Sequence, residues 1–257
     1  MDFARRRLFY QKQDFQLAWE GVRPVPRLIQ GFRKAGAPRE ALTEAGHFLA
    51  GALVHERFRI FKNGGIPLLE RRSGPIIEEI VLRASPYVQD EPFLPIRVYL
   101  HLSHSRLRDV RLRYWRPASR APGLVAAMDL GQLELPPCYV IWNVGMDYEV
   151  LVELLEWVRR LALPWFDLFE DSGLLRRNLY AGLVSGLDID RALEVIIAEF
   201  GPAEGAHFLR ECVISNPHVG PRVMESVKRI RASDEVGVIG SDPARNIAAI
   251  CHAYSLL

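Results

Sequence analysis

The period of the hydrophobic residues changes twice along this chain, and that change constrains the fold more than any other feature. Between residues 38 and 54 apolar side chains recur at helical spacing, and Pro38 stands where a first helical turn tolerates proline. From Phe58 to Leu102 apolar and polar residues alternate instead, as in half-buried strands. Beyond Asp147 the helical spacing returns. We therefore predict an α+β fold in which an antiparallel sheet of about five strands is flanked by helices and followed by a C-terminal helical bundle.

The alternating region divides into separate strands. Asn63-Gly64-Gly65 tolerates positive φ, which favours a hairpin turn after the first strand. In the run 96–102, Ile96 and every second residue after it would share a buried face, and Arg97, Tyr99 and His101 would share a solvated one. Residues 109–115 show the same alternation, which predicts a further strand. The predicted strands begin near Phe58 and continue with Ile66 to Glu70, Ile76 to Arg83, Ile96 to Leu102, residues 109–115 and residues 138–144.

Proline, glycine and aspartate residues mark the predicted helix boundaries. A helix begins at Asp147, and Pro164 is expected to end it. Asp188 is a good N-cap for a helix that Gly201-Pro202 stops, and Asp242-Pro243 caps the last helix. We accordingly predict three parts: an N-terminal extension over residues 1–37, an α+β domain over residues 38–171, and a helical C-terminal region over residues 172–257.

Composition narrows the class of protein. The chain has 257 residues, of which 49% are hydrophobic and 25% charged, and this excludes a disordered, collagen-like or disulfide-stapled class. Its three cysteines, Cys138, Cys212 and Cys251, form no CxxC pair, which favours a reducing compartment. The N-terminus lacks the pattern of a secretory signal, and no apolar run approaches the roughly 20 residues of a membrane span. We expect a cytoplasmic protein with no membrane partner.

Charge is balanced overall but segregated along the chain. The net charge is +2. Residues 1–123 hold 22 basic and 12 acidic side chains, whereas residues 124–171 hold two basic and nine acidic ones. The two segments either neutralise one another within the fold or present a basic and an acidic surface to a partner.

Motifs that carry chemistry are missing from the sequence. HExxH, a phosphate-binding GxxxxGK[ST] loop and GxSxG are all absent. His101 and His104 are three residues apart on a predicted strand, so their side chains would point to opposite faces. We expect neither a metal site nor a cofactor.

The most distinctive surface candidate combines arginines with an aromatic residue. Basic side chains can hold phosphates or carboxylates, and an exposed tryptophan beside arginines is typical of an interface hot spot. The alternative interpretation of the same cluster is a solvent-exposed sheet face without a binding role. The predicted partner-binding residues are Arg106, Arg108, Arg111, Arg113, Trp115 and Arg116, with Arg120 beyond them.

The order of elements resembles a known bacterial family. The segment from His55 to Gly65, the strand ending in Glu70-Arg71-Arg72, the two strands after it and a later helix that runs into Leu163-Pro164 resemble the domain-of-unknown-function family 4304 over about residues 38–170. The family has no established catalytic residues, and some similar domains lie beside toxin genes as candidate immunity proteins. The resemblance implies a protein that binds a toxin.

We therefore predict a non-enzymatic protein-binding module, in its concrete form an immunity-type protein that neutralises a cytoplasmic toxin by occlusion. One alternative is a nucleic-acid-binding or defence-system component that uses the arginine and aromatic residues of 106–120. A second alternative is an enzyme with an unrecognised active site, which would require titratable groups such as His101, His104 and Glu78 to meet in one pocket.

Overall fold

The structure is a computed structural model that describes residues 27–29, 38–63, 66–84, 94–114, 123–144, 148–233 and 242–257. The chain divides into two compact units. The sheet unit comprises the described residues within Gln11–Ser103 and Ala126–Glu170. The helical unit comprises those within His104–Val125 and Asp171–Leu257, so it includes a segment that the sequence had assigned to the α+β domain.

The described residues form the following elements. The strands are β1 (Arg27–Ile29), β2 (Arg59–Asn63), β3 (Ile66–Ser73), β4 (Ile76–Ala84), β5 (Leu94–His104), β6 (Leu124–Asp129) and β7 (Val140–Val144). The helices are α1 (Pro38–Ala52), α2 (Leu107–Leu112), α3 (Tyr148–Trp157), α4 (Leu163–Glu170), α5 (Ser172–Ala181), α6 (Ile189–Phe200), α7 (Pro202–Phe208), α8 (Gly220–Ser233) and α9 (Pro243–Tyr254). The prediction of an α+β fold with a sheet, flanking helices and C-terminal helices is confirmed.

The sheet has the strand order β1-β7-β5-β4-β3-β2, and β6 also pairs with β5. The pairs β2–β3, β3–β4 and β5–β7 are antiparallel, in agreement with the predicted antiparallel sheet. The short β1 adds to the edge in parallel with β7. Neither β1 nor β6 was predicted from the sequence. The first has only three residues, and the Leu-Val-Ala-Ala segment of the second shows no alternation of apolar and polar residues.

One face of the sheet is covered by helices. The predicted helix over 38–54 is α1, which buries Leu42, Ala45 and Leu49 and comes close to β3 at Gly46. A Cβ atom added to Gly46 would lie 2.7 Å from Cβ of Pro67, so the absence of a side chain lets α1 approach the strand. Burying about three such side chains removes apolar area worth several kcal/mol from water.

The two faces of β5 differ as the alternation predicted. Ile96, Val98, Leu100 and Leu102 are at most 1% exposed. Arg97, Tyr99 and His101 are partly exposed on the other face. This strand therefore divides the sheet unit into an apolar core and a polar surface.

The prediction that Pro164 ends its helix is wrong. The chain passes from α3 through a π turn, Val158–Ala162, directly into α4, and Pro164 stands in the first turn of α4. A proline ring clashes with the carbonyl four residues earlier and lacks an N–H donor, and a locally widened π turn accommodates both defects. The continuation places Trp165, Phe166 and Phe169 in the core.

The helical unit has a core of its own. Asp188 stands at the N-cap of α6 with an extended backbone, and the next helix starts at Pro202 as expected. The helix α6 buries a broad apolar stripe, and α9, capped by the Asp242 side chain, packs Ile247 and Ile250 inward. No helix among the described residues is long and apolar enough to cross a membrane.

The prediction of a strand over residues 109–115 is wrong, because Leu107–Leu112 forms the helix α2. Leu107, Val110, Arg111 and Tyr114 are all buried, and they have the spacing of one helix face. In so short a run Val110, Leu112 and Tyr114 also fit a strand, yet Leu112 is 54% exposed. Helical burial of Arg111 is stable because a buried carboxylate lies opposite it.

Candidate functional site

Of the predicted partner-binding residues that the structure describes, three are exposed and one is buried. Arg106, Arg108 and Arg113 are exposed around α2. Arg111 is only 2% exposed. Trp115 and Arg116, with Arg120, lie outside the described residues, so their part in the predicted site stays a prediction.

Arg111 belongs to a buried network in the helical unit. Its Nε donates to Oε1 of Glu194 at 3.0 Å, and its Nη2 donates to Oε2 at 2.7 Å, a bidentate pair. The hydroxyl of Tyr114 donates to the same carboxylate, and Arg191 donates to it at 3.1 Å. Burial raises the pKa of the Tyr114 phenol, and the Glu194 charge raises it further, so the phenol stays a donor. Because it is buried and held by this bidentate pair, Arg111 is a core residue of this unit.

Two further pairs in the helical unit involve buried polar groups. Asn246 on α9 donates to Oδ2 of Asp190 at 2.8 Å. His104 is fully buried; its Nδ1 accepts from the backbone N–H of Arg106, and its Nε2 contacts the Glu199 carboxylate. The hydrogen bond from His104 lowers the pKa of Glu199 although burial opposes it. The first pair joins α9 to α6, and the second joins the last residue of β5 to α6.

The covered face of the sheet contains one more buried ion pair. Glu78 on β4 lies opposite Arg71 on β3 and accepts from its Nε, and Nη2 of Arg71 donates to Oδ1 of Asp167 on α4 at 3.0 Å. Burial raises the pKa of Glu78, while Arg71 acts to lower it. The Arg71 guanidinium also lies over the Phe58 ring at 5.1 Å. The pair therefore joins strand, helix and core.

The other face of the sheet carries a chain of stacked arginines and tyrosines. Arg97 lies over Tyr99 at 5.1 Å and over Tyr139 at 4.6 Å from the ring centroids. Arg83 lies over the Tyr99 ring at 5.6 Å. Asp129 accepts from Arg97 at 2.9 Å, and burial raises the pKa of that carboxyl against the opposing effects of the Gly131 N–H and Arg97.

Rows of side chains extend this face across the neighbouring strands. Arg59 lies opposite Glu70, Glu70 lies opposite Glu79, and Glu79 contacts Nδ1 of His101 at 3.4 Å. In the next row Phe61 is 48% exposed. The arginine–tyrosine face, as we call it, consists of Arg59, Phe61, Arg72, Arg83, Arg97, Tyr99 and Tyr139.

The charge of the arginine–tyrosine face is positive. Arg72 pairs with Glu70, and Arg97 pairs with Asp129. Arg59 and Arg83 are exposed and have no carboxylate partner within salt-bridge distance among the described residues. A guanidinium that is stacked on a ring keeps its N–H edges available for a carboxylate or a phosphate.

The titratable groups named in the enzyme alternative each have a different partner. Glu78 pairs with Arg71 on the covered face, whereas His101 pairs with Glu79 on the opposite face. His104 pairs with Glu199 in the helical unit. Across the described part of the chain no group of three potential metal ligands is found.

The sequence held a signal for the arginine–tyrosine face. The alternation in β5 placed Arg97 and Tyr99 on the solvated face, as the structure does. Tyr139 joins them from just before β7, and Arg83 joins them from β4. Those contacts depend on strand order, which local spacing does not encode.

Comparison with known proteins gives no relative: no family model, no curated protein and no solved structure matches the chain.

Proposed function

We propose that this chain is a non-enzymatic protein-binding module and that the arginine–tyrosine face is its contact surface. The observation that carries the proposal is the stack in which Arg97 lies between Tyr99 and Tyr139 while Arg83 lies over Tyr99. Tyrosine and arginine are the side chains most enriched at interface hot spots, and stacking reduces the entropy that the arginines would lose on binding.

The stacking favours a protein partner over a nucleic acid. Proteins that bind single-stranded nucleic acid stack the bases on free aromatic rings. Here an arginine already lies over the rings of Tyr99 and Tyr139. The remaining guanidinium edges of Arg59 and Arg83 suit carboxylates on an acidic protein surface. Exposed Phe61 adds an apolar contact at the same face.

The finer form of the proposal is an immunity-type protein that neutralises a cytoplasmic toxin by occluding its working surface. Occlusion needs only a complementary surface and no reaction. The positive charge of the arginine–tyrosine face supports this form. A nucleic-acid-binding or defence-system role on the same face is the second candidate, because unpaired arginines also suit phosphates.

Affinity capture from a nuclease-treated lysate of the native host tests the proposal. The bait is compared with a double variant, Arg59→Glu with Arg83→Glu, and with a control, Arg210→Glu with Arg245→Glu. The control changes the charge equally, using exposed arginines of the helical unit. All baits must unfold at similar temperatures.

The proposal predicts one stoichiometric protein partner on the wild-type and control baits and its loss from the double variant. A captured toxin whose activity is suppressed by the wild-type protein, and not by the double variant, would support the immunity form. If the bait recovers only nucleic acid from an untreated lysate and no protein from the nuclease-treated one, the second candidate is favoured and the first is overturned.

A further inference from the structure

A pocket in the helical unit has no part in the proposed function. It has a volume of about 290 Å³ and lies between α5 and α7. Its lining residues are Gly173, Arg176, Arg177, Tyr180 and His207. Gly173, Arg177 and Tyr180 follow one another at helical spacing along α5, so a single helix face supplies most of the wall.

Hydrogen bonds fix the polar groups of this pocket. The Tyr180 hydroxyl lies 2.7 Å from Oε1 of Glu204 and 3.0 Å from Nδ1 of His207. The Tyr180 hydrogen bond lowers the pKa of Glu204, so the carboxylate is ionised and can only accept. Tyr180 therefore donates its one proton to Glu204, and Nδ1–H of His207 donates to the Tyr180 oxygen.

The phenol is held rigidly as well. Burial and then the Glu204 hydrogen bond raise the pKa of Tyr180, so it stays protonated. Its ring packs edge-on against Phe208 at 5.2 Å and 90°. A pre-positioned polar wall of this kind loses little entropy when a ligand binds.

The electrostatics of the pocket favour an anion. Nε of Arg176 donates to Glu204 at 2.7 Å, which orients the guanidinium and leaves its Nη groups available. Arg177 is exposed and has no carboxylate partner among the described residues. Glu204 offsets the charge of Arg176, and the second lining arginine, Arg177, leaves the charge of this group positive.

We propose that this pocket binds a small anion of the phosphate class, with Arg176 and Arg177 as its cationic ligands. Two neighbouring guanidinium groups offer more N–H donors than one carboxylate can accept, whereas a phosphate dianion has three oxygens free to accept them. The pocket volume admits a phosphate group together with a small organic substituent. The pocket shares no lining residue with the arginine–tyrosine face.

Isothermal titration calorimetry with inorganic phosphate at fixed ionic strength tests the inference. Acetate, titrated separately, is the comparison anion. We expect saturable 1:1 binding of phosphate and at least tenfold weaker binding of acetate. Arg177→Gln and Arg176→Gln should each weaken phosphate binding by about tenfold, the effect of losing a charge-assisted hydrogen bond. Arg245→Gln, which removes an exposed arginine of α9 in the same unit, should leave it unchanged.

A second measurement locates the site. Backbone amide NMR shifts on phosphate addition should change in α5 and α7 of the wild-type protein, and Arg177→Gln should need about tenfold more phosphate for the same changes. Three results would each overturn the inference: no saturable phosphate binding at millimolar concentrations, acetate binding as tightly as phosphate, or equal weakening in Arg177→Gln and Arg245→Gln.

Discussion

Arg111 and Glu194 form a bidentate ion pair in the core of the helical unit, with donor–acceptor distances of 3.0 and 2.7 Å. Arg111 is a residue that sequence patterning assigned to a binding surface, and the structure instead uses it to join α2 to α6. A buried arginine on a short helix needs a partner of this kind, because an unpaired buried charge is strongly destabilising.

Removing one partner of this pair should be costly. We expect Arg111→Met to lower the free energy of unfolding by about 3 kcal/mol, since it leaves the Glu194 carboxylate buried with one cation fewer. A triple variant, Arg111→Met with Tyr114→Phe and Glu194→Leu, should recover to within about 2 kcal/mol of wild type, because it removes the buried groups of the network and leaves only the partly exposed Arg191 without its acceptor. Urea unfolding measures both. Equal destabilisation of the single and triple variants would contradict the assignment.

Two glycines of one helix should respond oppositely to alanine. A Cβ at Gly51 would meet nothing within 4 Å, so Gly51→Ala should stabilise the protein by up to about 1 kcal/mol through helix propensity. A Cβ at Gly46 would lie 2.7 Å from Cβ of Pro67, so Gly46→Ala should destabilise by about 1–3 kcal/mol. Thermal and urea unfolding measure the difference. Stabilisation by both changes would show that α1 does not approach β3 this closely.

The secondary structure was predictable wherever local spacing determines it. The two faces of β5 and the position of α1 follow from apolar period alone. The segment around Val110 satisfies both a strand and a helix pattern, and the distant carboxylate of Glu194 decides between them. Pro164 continues a helix because a π turn precedes it, which no local rule of proline placement anticipates.

The candidate site was predictable only in part. The alternation in β5 placed Arg97 and Tyr99 on one face, but their stacking with Tyr139 depends on residues about 40 positions away in the chain. The predicted site was instead the denser local cluster of arginines around α2. Density along the chain is a weak guide here, because folding buried Arg111 and left Arg106 and Arg108 exposed.

The stability gained from Glu199 should depend on pH. The pKa of Glu199 is lowered from 4.5 in the folded protein, first by the His104 hydrogen bond and, against the effect of burial, by the charges of His104 and Arg106. A carboxyl group whose pKa is lower in the folded protein than in the unfolded one stabilises the fold at pH values above its unfolded pKa. This stabilisation is lost as the pH falls through the folded pKa.

Calorimetry from about pH 7 down to about pH 3 should therefore show that Glu199→Gln lowers Tm near neutrality and that the deficit shrinks below pH 4.5. Glu211→Gln, an exposed change in the same unit, is the control. A deficit that stays constant over the whole range would contradict the assigned pair.

Two arginines of the arginine–tyrosine face should separate binding from stability. Arg83 is exposed, so Arg83→Gln should change the free energy of unfolding by less than about 0.5 kcal/mol. The Arg97 side chain is 13% exposed and pairs with buried Asp129, so Arg97→Gln should cost about 1–3 kcal/mol. Both should weaken partner binding in the proposed function. A large loss of stability in Arg83→Gln would show that its role is structural.

Photo-crosslinking at position 61 in living cells tests the central claim most directly. Phe61, exposed on the arginine–tyrosine face, is replaced by p-benzoylphenylalanine, and Leu112, 54% exposed on the helical unit, is replaced in a control. The proposal predicts one discrete adduct at position 61 that resists nuclease and is destroyed by protease, with no such adduct at position 112. The absence of an adduct at position 61, the same adduct at both positions, or an adduct that nuclease removes would contradict it.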